Sequence, residues 1–579
     1  MQIQSVNSLL TPAGLGPPTL RALIPNVDNY TVLLLQPEGH IEASPAGVRH
    51  QDRALAHSQF RGFLNDARTN NVALAVTPEY SMPWETLSEA LQTGCTPSDG
   101  SLWALGCESI RYTELEALKQ TLAPHATVLF EALQADDHRF VDPLAYVFVA
   151  PPTKPSGASR VVLLVQFKTC PMGDDGHFEV NGMQRGTRVY QFGGDSGNPR
   201  LLSLICSDAF EFLDPEAAQV YDRALVLHIQ LNRQPRQHQY RQYRDRLFRF
   251  RGGATEILCL NWAKDVREAC GGATHCWNNI SGSAWYLPDT FDEPDTTLSL
   301  NHRNGLYYTW FQAMRSHAMF FNYEPAAYFV TASKVVHRGV TASLSRRRGP
   351  QLTAMHTWDN HASAWVHHPG PTDGFATVVA ESGNAQHDIA HLADVNPFNA
   401  ERVLALCAGS IGTNANWYHL RQLDSCGIET SEVIRRMTFC QDNDHSAQTF
   451  RVRRLRRCRR LWDILNTPDH LPPALDDLKN GFRLDWAPHQ NVISSAGRRA
   501  TAIYMGEDAS DVEIESVGKR MAEYLHRASP DPDAAIEARQ RLHLWYRQDD
   551  GALRLFDRSR YLRIDEPRSA SEFDIARTF

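Results

Sequence analysis

Residues 201–211 read LLSLICSDAFE, an apolar run that ends in Cys206 and is followed at once by a serine and an aspartate. Similar short runs rich in Val, Leu and Ile alternate with helical patterns, and they are TVLLLQP (31–37), NVALAVTPEY (71–80), LAYVFVAP (144–151), RVVLLVQFK (160–168), DRALVLHIQL (222–231) and EILCLNWA (256–263). Runs of this kind are typical of strands buried on both faces of a sheet. The sequence therefore predicts an α/β domain whose sheets are covered by helices.

The composition places the chain among soluble globular proteins. Of its 579 residues, 42% are hydrophobic and 21% are charged, and the net charge of −8 argues against a nucleic-acid footprint along the whole chain. The N-terminus has no secretory pattern and no apolar run is long enough to span a bilayer, so we expect no membrane partner. Eleven cysteines without regular spacing favour a reducing, cytoplasmic location.

Shifts in composition divide the chain into four parts, because a chain of this length exceeds what one core usually serves. Residues 1–28 are punctuated by Pro and Gly and are predicted to be a loose lead-in. Residues 29–338 hold the strand pattern and form the first domain. Residues 339–375 are rich in Gly, Pro, Ser and like charges, which indicates a linker. Residues 376–579 carry mostly helical patterns and are predicted to form a helix-rich second domain.

Three reactive side chains stand at the ends of predicted strands. Glu79 ends the strand of VALAVTPE, Lys168 ends VVLLVQFK and Cys206 ends LLSLIC. In open α/β sheets, groups at the carboxyl ends of strands gather in one crevice, so we expect these three to meet. Together they predict acyl transfer: Glu79 takes the thiol proton of Cys206, and Lys168 stabilises the thiolate and then the oxyanion. The backbone N–H of Ser207 is expected to be a second oxyanion donor.

These segments resemble those of the nitrilase, or carbon–nitrogen hydrolase, superfamily. The cysteine segment of that family is matched by SLICSDAFE, its first glutamate segment by TPEYSMP and its lysine segment by QFKTCP. Its second glutamate, seven residues before a glycine, is matched by Glu179 before Gly186, and the course of strand, helix and strand after the cysteine ends here at Asn261. The resemblance covers roughly residues 28–335.

The resemblance implies a four-layer αββα sandwich that forms homodimers or larger homo-oligomers and uses no cofactor and no metal. It implies Glu79 as the base, Lys168 as the stabilising cation, Cys206 as the nucleophile and Glu179 as an orienting group. Candidates for the substrate pocket are Tyr80, Asp208 and Asn232. The small Ser207 and the Cys170 two residues after the lysine depart from the family pattern, so the substrate is not carried over.

The function predicted from these residues is hydrolysis of a non-peptide C–N bond, in an amide or a nitrile, through a thioester on Cys206. The alternative is a regulatory or effector protein, for example in bacterial stress or antiviral defence, whose nitrilase-like domain senses a metabolite or assembles oligomers. The large second domain motivates that alternative because the chemistry does not need it.

Two further motifs are interpreted structurally. The run CGGATHC (270–276) matches no strong zinc spacing and is predicted to be a loop. In RVRRLRRCRRLWDIL (451–465) apolar residues recur at helical spacing, which predicts a helix with its arginines on a solvated or ion-paired face. The basic stretch 451–460 is the only hint of nucleic acid, and we do not expect such a partner. The apolar residues of this helix are Val452, Leu455, Cys458, Trp462 and Leu465.

Overall fold

A computed structural model describes most of the chain. The described residues are 1–24, 29–173, 178–194, 198–236, 238–249, 254–270, 272–277, 282–291, 293–333, 348–369, 374–423, 432–548 and 550–562. The chain divides into two compact units, 1–371 and 372–579, and each is treated by itself. In the described part, no helix combines the length and the apolar character that crossing a membrane requires.

The first unit is a mixed α/β structure. Its strands are β1 (Gln2–Ser5), β2 (Asn29–Gln36), β3 (His40–Ser44), β4 (Gly47–His50), β5 (Leu74–Met82), β6 (Leu102–Cys107), β7 (Ile110–Arg111), β8 (Thr127–Phe130), β9 (Phe140–Val141), β10 (Pro143–Ala150), β11 (Arg160–Phe167), β12 (Arg188–Gly193), β13 (Arg200–Ile205), β14 (Ala224–Ile229), β15 (Glu256–Leu260), β16 (Arg267–Cys270), β17 (Ala273–Cys276), β18 (Ala284–Pro288), β19 (Leu306–Phe311), β20 (Ser316–Phe321), β21 (Ala326–Ser333), β22 (Gln351–Asp359) and β23 (Ala364–His367). Its helices are α1 (Val6–Leu10), α2 (Arg53–Thr69), α3 (Trp84–Gln92), α4 (Tyr112–Leu122), α5 (Phe178–Gly182), α6 (Asp208–Glu211), α7 (Asp214–Val220), α8 (His238–Arg249) and α9 (Asp295–Asn304).

Two large sheets form the centre of this unit. The first has the order β23-β22-β21-β2-β5-β6-β10-β11-β8, and the second has the order β1-β12-β13-β14-β15-β18-β20-β19. They contact each other face to face, since β15 touches both β2 and β5. The buried amide of Gln166 on β11 also donates to the carbonyl of Ser203 on β13 at 3.0 Å. A smaller sheet, β17-β16-β3-β4, stands apart from these two.

Helices cover the outer faces of both sheets. On the first sheet, Phe60 and Phe63 of α2, with Leu115 of α4, share one buried cluster with Leu33 and Leu35 of β2. On the second sheet, the ring of Tyr243 on α8 lies 5.0 Å from the ring of His228 on β14. The order of layers is therefore helix, sheet, sheet, helix, which confirms the predicted αββα architecture.

The predicted lead-in at 1–28 is wrong for its first ten residues. The strand β1 pairs in parallel with β12, and the side chains of Val6 and Leu10 on α1 are buried. No apolar pattern marks this strand, because its QIQS side chains are half-exposed and its partner is distant in sequence. Edge strands of this kind are held by backbone hydrogen bonds, which leave no apolar pattern.

The predicted linker at 339–375 is also wrong over 351–367. There β22 pairs with β21 and β23 pairs with β22, so both strands extend the first sheet. The indole of Trp365 donates to the carbonyl of Gln59 on α2 at 2.9 Å, which ties this edge to the helical layer. Half of the Gly, Pro and Arg residues that suggested a linker lie outside the described residues.

The second unit is mainly helical, as predicted, but it also contains a sheet. Its helices are α10 (Phe375–Glu381), α11 (Gln386–Val395), α12 (Pro397–Cys407), α13 (Leu420–Leu423), α14 (His445–Leu465), α15 (Asp511–Ala528) and α16 (Pro532–Gln540). Its strands are β24 (Phe482–Ala487), β25 (Gln490–Ser494), β26 (Arg499–Tyr504), β27 (Leu542–Arg547) and β28 (Leu553–Leu555), which form one sheet in that order. A buried cluster joins Val403 of α12, Leu461 of α14 and Trp545 of β27.

The basic helix α14 differs from the prediction in which face is buried. Leu455, Cys458 and Leu465 are buried as expected, but Val452 is 58% exposed. Arg451 and Arg454 are buried instead. The Arg451 guanidinium donates to the backbone carbonyls of residues 434 and 439, which satisfies it without an ionic partner. The helix therefore uses long arginine side chains as internal donors.

Candidate active site

Cys206 lies where β13 turns into α6. Its amide N–H donates to the carbonyl of Ile229 on the neighbouring β14 at 2.8 Å, so the first residue of the turn stays attached to the sheet. Its φ is +42°, a left-handed conformation that is uncommon for a residue with a side chain and that clusters at functional sites. This turn presents the thiol at the carboxyl end of the second sheet.

Lys168 lies at the carboxyl end of the first sheet, in direct contact with both predicted glutamates. Its ammonium Nζ is 2.7 Å from Oε1 of Glu79 and 2.7 Å from Oε1 of Glu179. All three side chains are at most 3% exposed. The structure therefore brings together the three charged residues that the sequence placed apart.

The backbone around Glu79 is irregular, and that irregularity aims the carboxylate. Regular pairing of β5 with β6 stops at Thr77 and resumes at Met82, and Tyr80 between them has a φ of +56°. The carboxylate accepts from the backbone N–H of Leu231, and the Glu79 carbonyl accepts from the indole of Trp262 at 2.8 Å. Glu79 is therefore fixed by groups of the second sheet as well as by its own strand.

Glu179 is held more completely than Glu79. Besides Lys168, its carboxylate accepts from the phenol of Tyr80 at 2.9 Å and from the backbone N–H of Met172 at 2.6 Å. These donors fix the orientation of the Glu179 carboxylate. Glu179 therefore anchors the ammonium of Lys168 between two glutamates.

Burial and charge set the protonation of these groups. Burial alone would lower the pKa of Lys168, but Glu179 and Glu79 outweigh it and hold the pKa well above its usual value. Burial raises the pKa of the Cys206 thiol and Glu79 raises it further, while Lys168 and a hydrogen bond with Tyr240 act in the opposite direction. The resting Cys206 side chain is therefore a thiol, and it would have to lose its proton to act as a nucleophile.

Asp208 does not line the cavity beside Cys206, so its predicted place in the substrate pocket is wrong. Its Oδ1 accepts from the backbone N–H groups of Thr169 at 2.7 Å and Cys170 at 3.0 Å, and its Oδ2 accepts from that of Ile205 at 3.1 Å. The carboxylate thus joins the loop after Lys168 to the turn at Cys206. The position of Asp208, two residues after the cysteine, suggested a place in the pocket. Its side chain instead points into the protein and accepts hydrogen bonds from backbone N–H groups.

Replacing Asp208 by asparagine is expected to destabilise the protein by about 2–4 kcal/mol, because an amide nitrogen would face buried N–H donors. The effect should appear as a lower midpoint in thermal unfolding. The Asp214→Asn variant is the control, since the Asp214 side chain is 73% exposed and should shift the midpoint little. Equal midpoints for the two variants would contradict the role assigned to Asp208.

Ser207 is buried, and its hydroxyl donates to the carbonyl of Cys170 at 2.6 Å. This bond ties the same loop to the turn from the other side. The small side chain is therefore used inside the turn.

A small cavity of about 80 Å³ opens onto Cys206. Tyr80, Glu179 and Asn232 line it, so two of the three predicted pocket residues are placed there. The amide nitrogen of Asn232 is buried and has no hydrogen-bond partner among the described residues. The remaining lining residues are Met172, Phe178, Leu231, Arg233, Glu268, Cys270, His275 and Trp277.

The mouth of this cavity is formed by the segment predicted to be a loop. Within 270–276 the chain forms the β16–β17 hairpin, in which Glu268 lies directly opposite His275. Both residues line the cavity. The hairpin reaches this place because β16 pairs in parallel with β3 of the small sheet. Gly271 lies outside the described residues.

Three residues near the site were missed by the sequence analysis. They are Asp142, whose Oδ2 is 3.5 Å from Nζ of Lys168, Tyr240, whose phenol oxygen is 3.2 Å from Sγ of Cys206, and His228, whose Nε2 is 2.9 Å from the Cys206 carbonyl. Only Asp142 had a usable signal. It directly precedes an apolar strand that runs antiparallel to β11, and the start of such a strand lies beside the end of its partner.

Three carboxylates in the described part of the chain are close enough to share a cation. They belong to Glu79, Asp142 and Glu179 and lie within 4.8 Å of one another. The ammonium of Lys168 is already among them and hydrogen-bonds two of the three. Lys168 therefore supplies a positive charge at the position where a shared cation would be bound.

Replacing Tyr240 by phenylalanine is expected to slow alkylation of Cys206 by iodoacetamide about 10-fold or more at neutral pH, because a hydrogen bond to a charged group contributes about 1.5–3 kcal/mol. Burial raises the pKa of Tyr240 well above its usual value, so its phenol is a donor throughout the working range. Peptide mass spectrometry measures the rate at this cysteine. The control is Tyr243→Phe on the same helix, whose phenol bonds His228 at 2.6 Å instead. Equal rates for both variants would rule out the contact as the cause.

Comparison with known proteins gives matches among solved structures only. No family model and no curated protein matches the sequence. A glutamine-dependent NAD+ synthetase from Acinetobacter baumannii is 13% identical, with 55% of this chain and 49% of that chain covered and a TM-score of 0.31. The match thus spans about half the length of the synthetase.

Two shorter proteins match over most of their own length. A CN-hydrolase superfamily protein from Xanthomonas campestris is 11% identical, with 53% of this chain and 91% of that chain covered and a TM-score of 0.29. An amidase from Nesterenkonia sp. is 11% identical, with 54% and 94% covered and a TM-score of 0.30. The chemistry of the present chain is therefore inferred from its own side chains.

Proposed function

We propose that the first unit is a carbon–nitrogen hydrolase of the nitrilase type that cleaves small amides through a thioester on Cys206. The observation that carries this proposal is the ammonium of Lys168 held between Glu79 and Glu179, at 2.7 Å from each, beside a cavity that opens onto the Cys206 thiol. A nucleophile, a base and a fixed cation in one buried place are the parts that acyl transfer requires.

In the proposed first step, the Glu79 carboxylate accepts the Cys206 proton while Sγ forms a bond to the substrate carbonyl carbon. The ammonium of Lys168 and the backbone N–H of Ser207 stabilise the oxyanion. Glu79 then gives its proton to the amide nitrogen, the C–N bond breaks and ammonia leaves. The product of this half-reaction is a thioester on Cys206.

In the second step, Glu79 takes a proton from a water molecule whose oxygen attacks the thioester carbon. The C–S bond breaks, the thiolate recovers the proton from Glu79, and a carboxylic acid is released. Glu79 accepts one proton in each half-reaction and donates it again before that half-reaction ends. The site therefore ends in its resting state. Glu179 is proposed to keep Lys168 in place throughout.

The cavity favours a small substrate. A buried water molecule needs a cavity of about 10–15 Å³. A cavity of about 80 Å³ therefore accepts only a handful of non-hydrogen atoms. We propose that the unpartnered amide of Asn232 donates to an oxygen of that substrate and that Tyr80 forms the neighbouring wall. A nitrile would fit the same space, and for it the first product would be a thioimidate.

A panel of short amides and nitriles, assayed for ammonia release with the full chain, tests this proposal. With hydroxylamine present, a thioester intermediate yields a hydroxamic acid, because the amine competes with water for the acyl carbon. We expect both products from at least one short amide. Ammonia without any hydroxamate would contradict the thioester route, and binding without release of ammonia would favour the alternative of a metabolite sensor.

A further inference from the structure

The inference concerns Asp142, a buried aspartate to which the proposed chemistry gives no task. It lies between β9 and β10 and is 1% exposed. Pro143 at the start of β10 pairs with Phe167 at the end of β11, which brings the residues on either side of that pair together. As a result, the Asp142 carbonyl accepts from the backbone N–H of Lys168 at 2.9 Å.

The carboxylates around Lys168 differ in how many donors they receive. Glu179 accepts from Lys168, from the Tyr80 phenol and from the backbone N–H of Met172. Glu79 accepts from Lys168 and from one backbone N–H. Neither carboxylate oxygen of Asp142 accepts a hydrogen bond from any described residue. Asp142 is therefore the member of the group for which ionisation is least supported.

The charges lead to the same conclusion. Three ionised carboxylates beside one ammonium would leave two negative charges uncompensated in a buried site. Buried carboxylates in such contact share a proton and titrate as a unit. Burial raises the pKa of Asp142 well above its usual value, and Glu79 and Glu179 act in the same direction, while Lys168 acts against them.

Among the described residues, the other titratable groups that interact with Asp142 are Tyr80 and Cys107, and neither carries a positive charge. Tyr80 on β5 and Cys107 at the end of β6 both interact with its carboxylate, and burial raises the pKa of each well above its usual value. Both are therefore neutral and do not favour an ionised aspartate. Carboxylate oxygens of Asp142 and Glu79 lie within 4.8 Å of each other, close enough for the two groups to share one proton.

We propose that Asp142 is a positioning residue that carries a proton in the resting site and donates it in a hydrogen bond to Glu79, which keeps Glu79 ionised as the base. The role of that base rests on the proposed function, whereas the location of the proton does not. Asp142 thus lets the site hold three carboxyl groups around one lysine with a single uncompensated charge.

Infrared difference spectroscopy of the full chain at neutral pH locates the proton directly. The wild-type spectrum minus that of Asp142→Asn should show the loss of a carbonyl stretch of a protonated carboxylic acid, and this band should shift in D2O. Asp136→Asn is the matched control, because the Asp136 side chain is 38% exposed and ion-paired, and it should lose a carboxylate stretch. Loss of a carboxylate stretch from Asp142→Asn as well would overturn the proposal.

Asparagine is a neutral analogue of a protonated aspartate of the same size, so the variant is expected to fold, and failure to fold would also contradict the proposal. Wild-type protein grown with 13C-aspartate gives a measurement without a variant. The acid band should then move to lower frequency, and an acid region that does not respond to the label would exclude a protonated aspartate.

The same variant separates this inference from the proposed function. If short amides are hydrolysed, Asp142→Asn should lower kcat less than Asp142→Leu does, since only asparagine still presents a neutral donor to Glu79. Its activity should also extend to higher pH than that of the wild type, because asparagine cannot ionise beside Glu79. A wild-type protein that shows the acid band but hydrolyses no amide would contradict the proposed function. It would still support a protonated Asp142.

Discussion

Replacement of Cys206 by alanine is expected to lower the rate of ammonia release from a responsive amide by at least about 10⁴-fold, the size of effect seen when a covalent nucleophile is removed. The loss should fall on kcat, because the side chain forms a bond to carbon and contributes little to the walls of the cavity. Steady-state ammonia assays with the purified full chain measure it.

The matched control is Cys95→Ala in the same unit. Cys95 is half-buried, and its thiol contacts the Asn65 side chain at 3.4 Å on a helix away from the site. Turnover by this variant should be unchanged within about twofold, as expected for a surface substitution. If Cys206→Ala turned over the amide as fast as Cys95→Ala, the thiol of Cys206 could not be the nucleophile.

Replacement of Lys168 by methionine is expected to remove activity and to destabilise the fold. Methionine keeps most of the volume but leaves Glu79, Glu179 and Asp142 buried without their cation. Breaking a buried ion pair by removing one partner costs about 3–5 kcal/mol. Calorimetric unfolding should show the lower midpoint, with Lys264→Met as control, because the pair of Lys264 with Glu324 is partly exposed and worth at most about 1 kcal/mol.

The instability of Lys168→Met should depend on pH. Lys168 lowers the pKa of Glu79, which burial raises, so its removal lets the pKa rise further. The folded variant then binds more protons than the unfolded chain over the range between the two pKa values, and its stability falls as pH rises through that range. We expect a larger deficit relative to wild type at pH 8 than at pH 5, and an equal deficit at both values would contradict the buried-charge explanation.

The strands and the charged residues of the site could be predicted from the sequence because each is marked locally. The runs at 71–80, 160–168 and 200–206 coincide with β5, β11 and β13, since buried strands need continuous apolar side chains. Lys168 and Glu79 stand at the ends of such runs, where charge is unusual. Their convergence on one place followed from the general behaviour of strand ends.

The remaining features depend on contacts between distant segments. Tyr240 reaches Cys206 only because α8 packs across β14, and a tyrosine on an amphipathic helix is not distinguishable by sequence from an ordinary core residue. The strand β1 and the β16–β17 hairpin are held by backbone pairing to remote partners, which leaves no apolar pattern. Arg451 in α14 is buried against backbone carbonyls, and charge alone predicted the opposite face.

The central claim is that an acyl group is carried by Cys206, and acid quenching during turnover followed by peptide mass spectrometry tests it most directly. With a responsive amide, we predict the mass of the acyl group on the peptide that contains Cys206, its absence in Cys206→Ala, and its disappearance when hydroxylamine is added. An acyl group on any other residue, or turnover by Cys206→Ala at the wild-type rate, would contradict the mechanism.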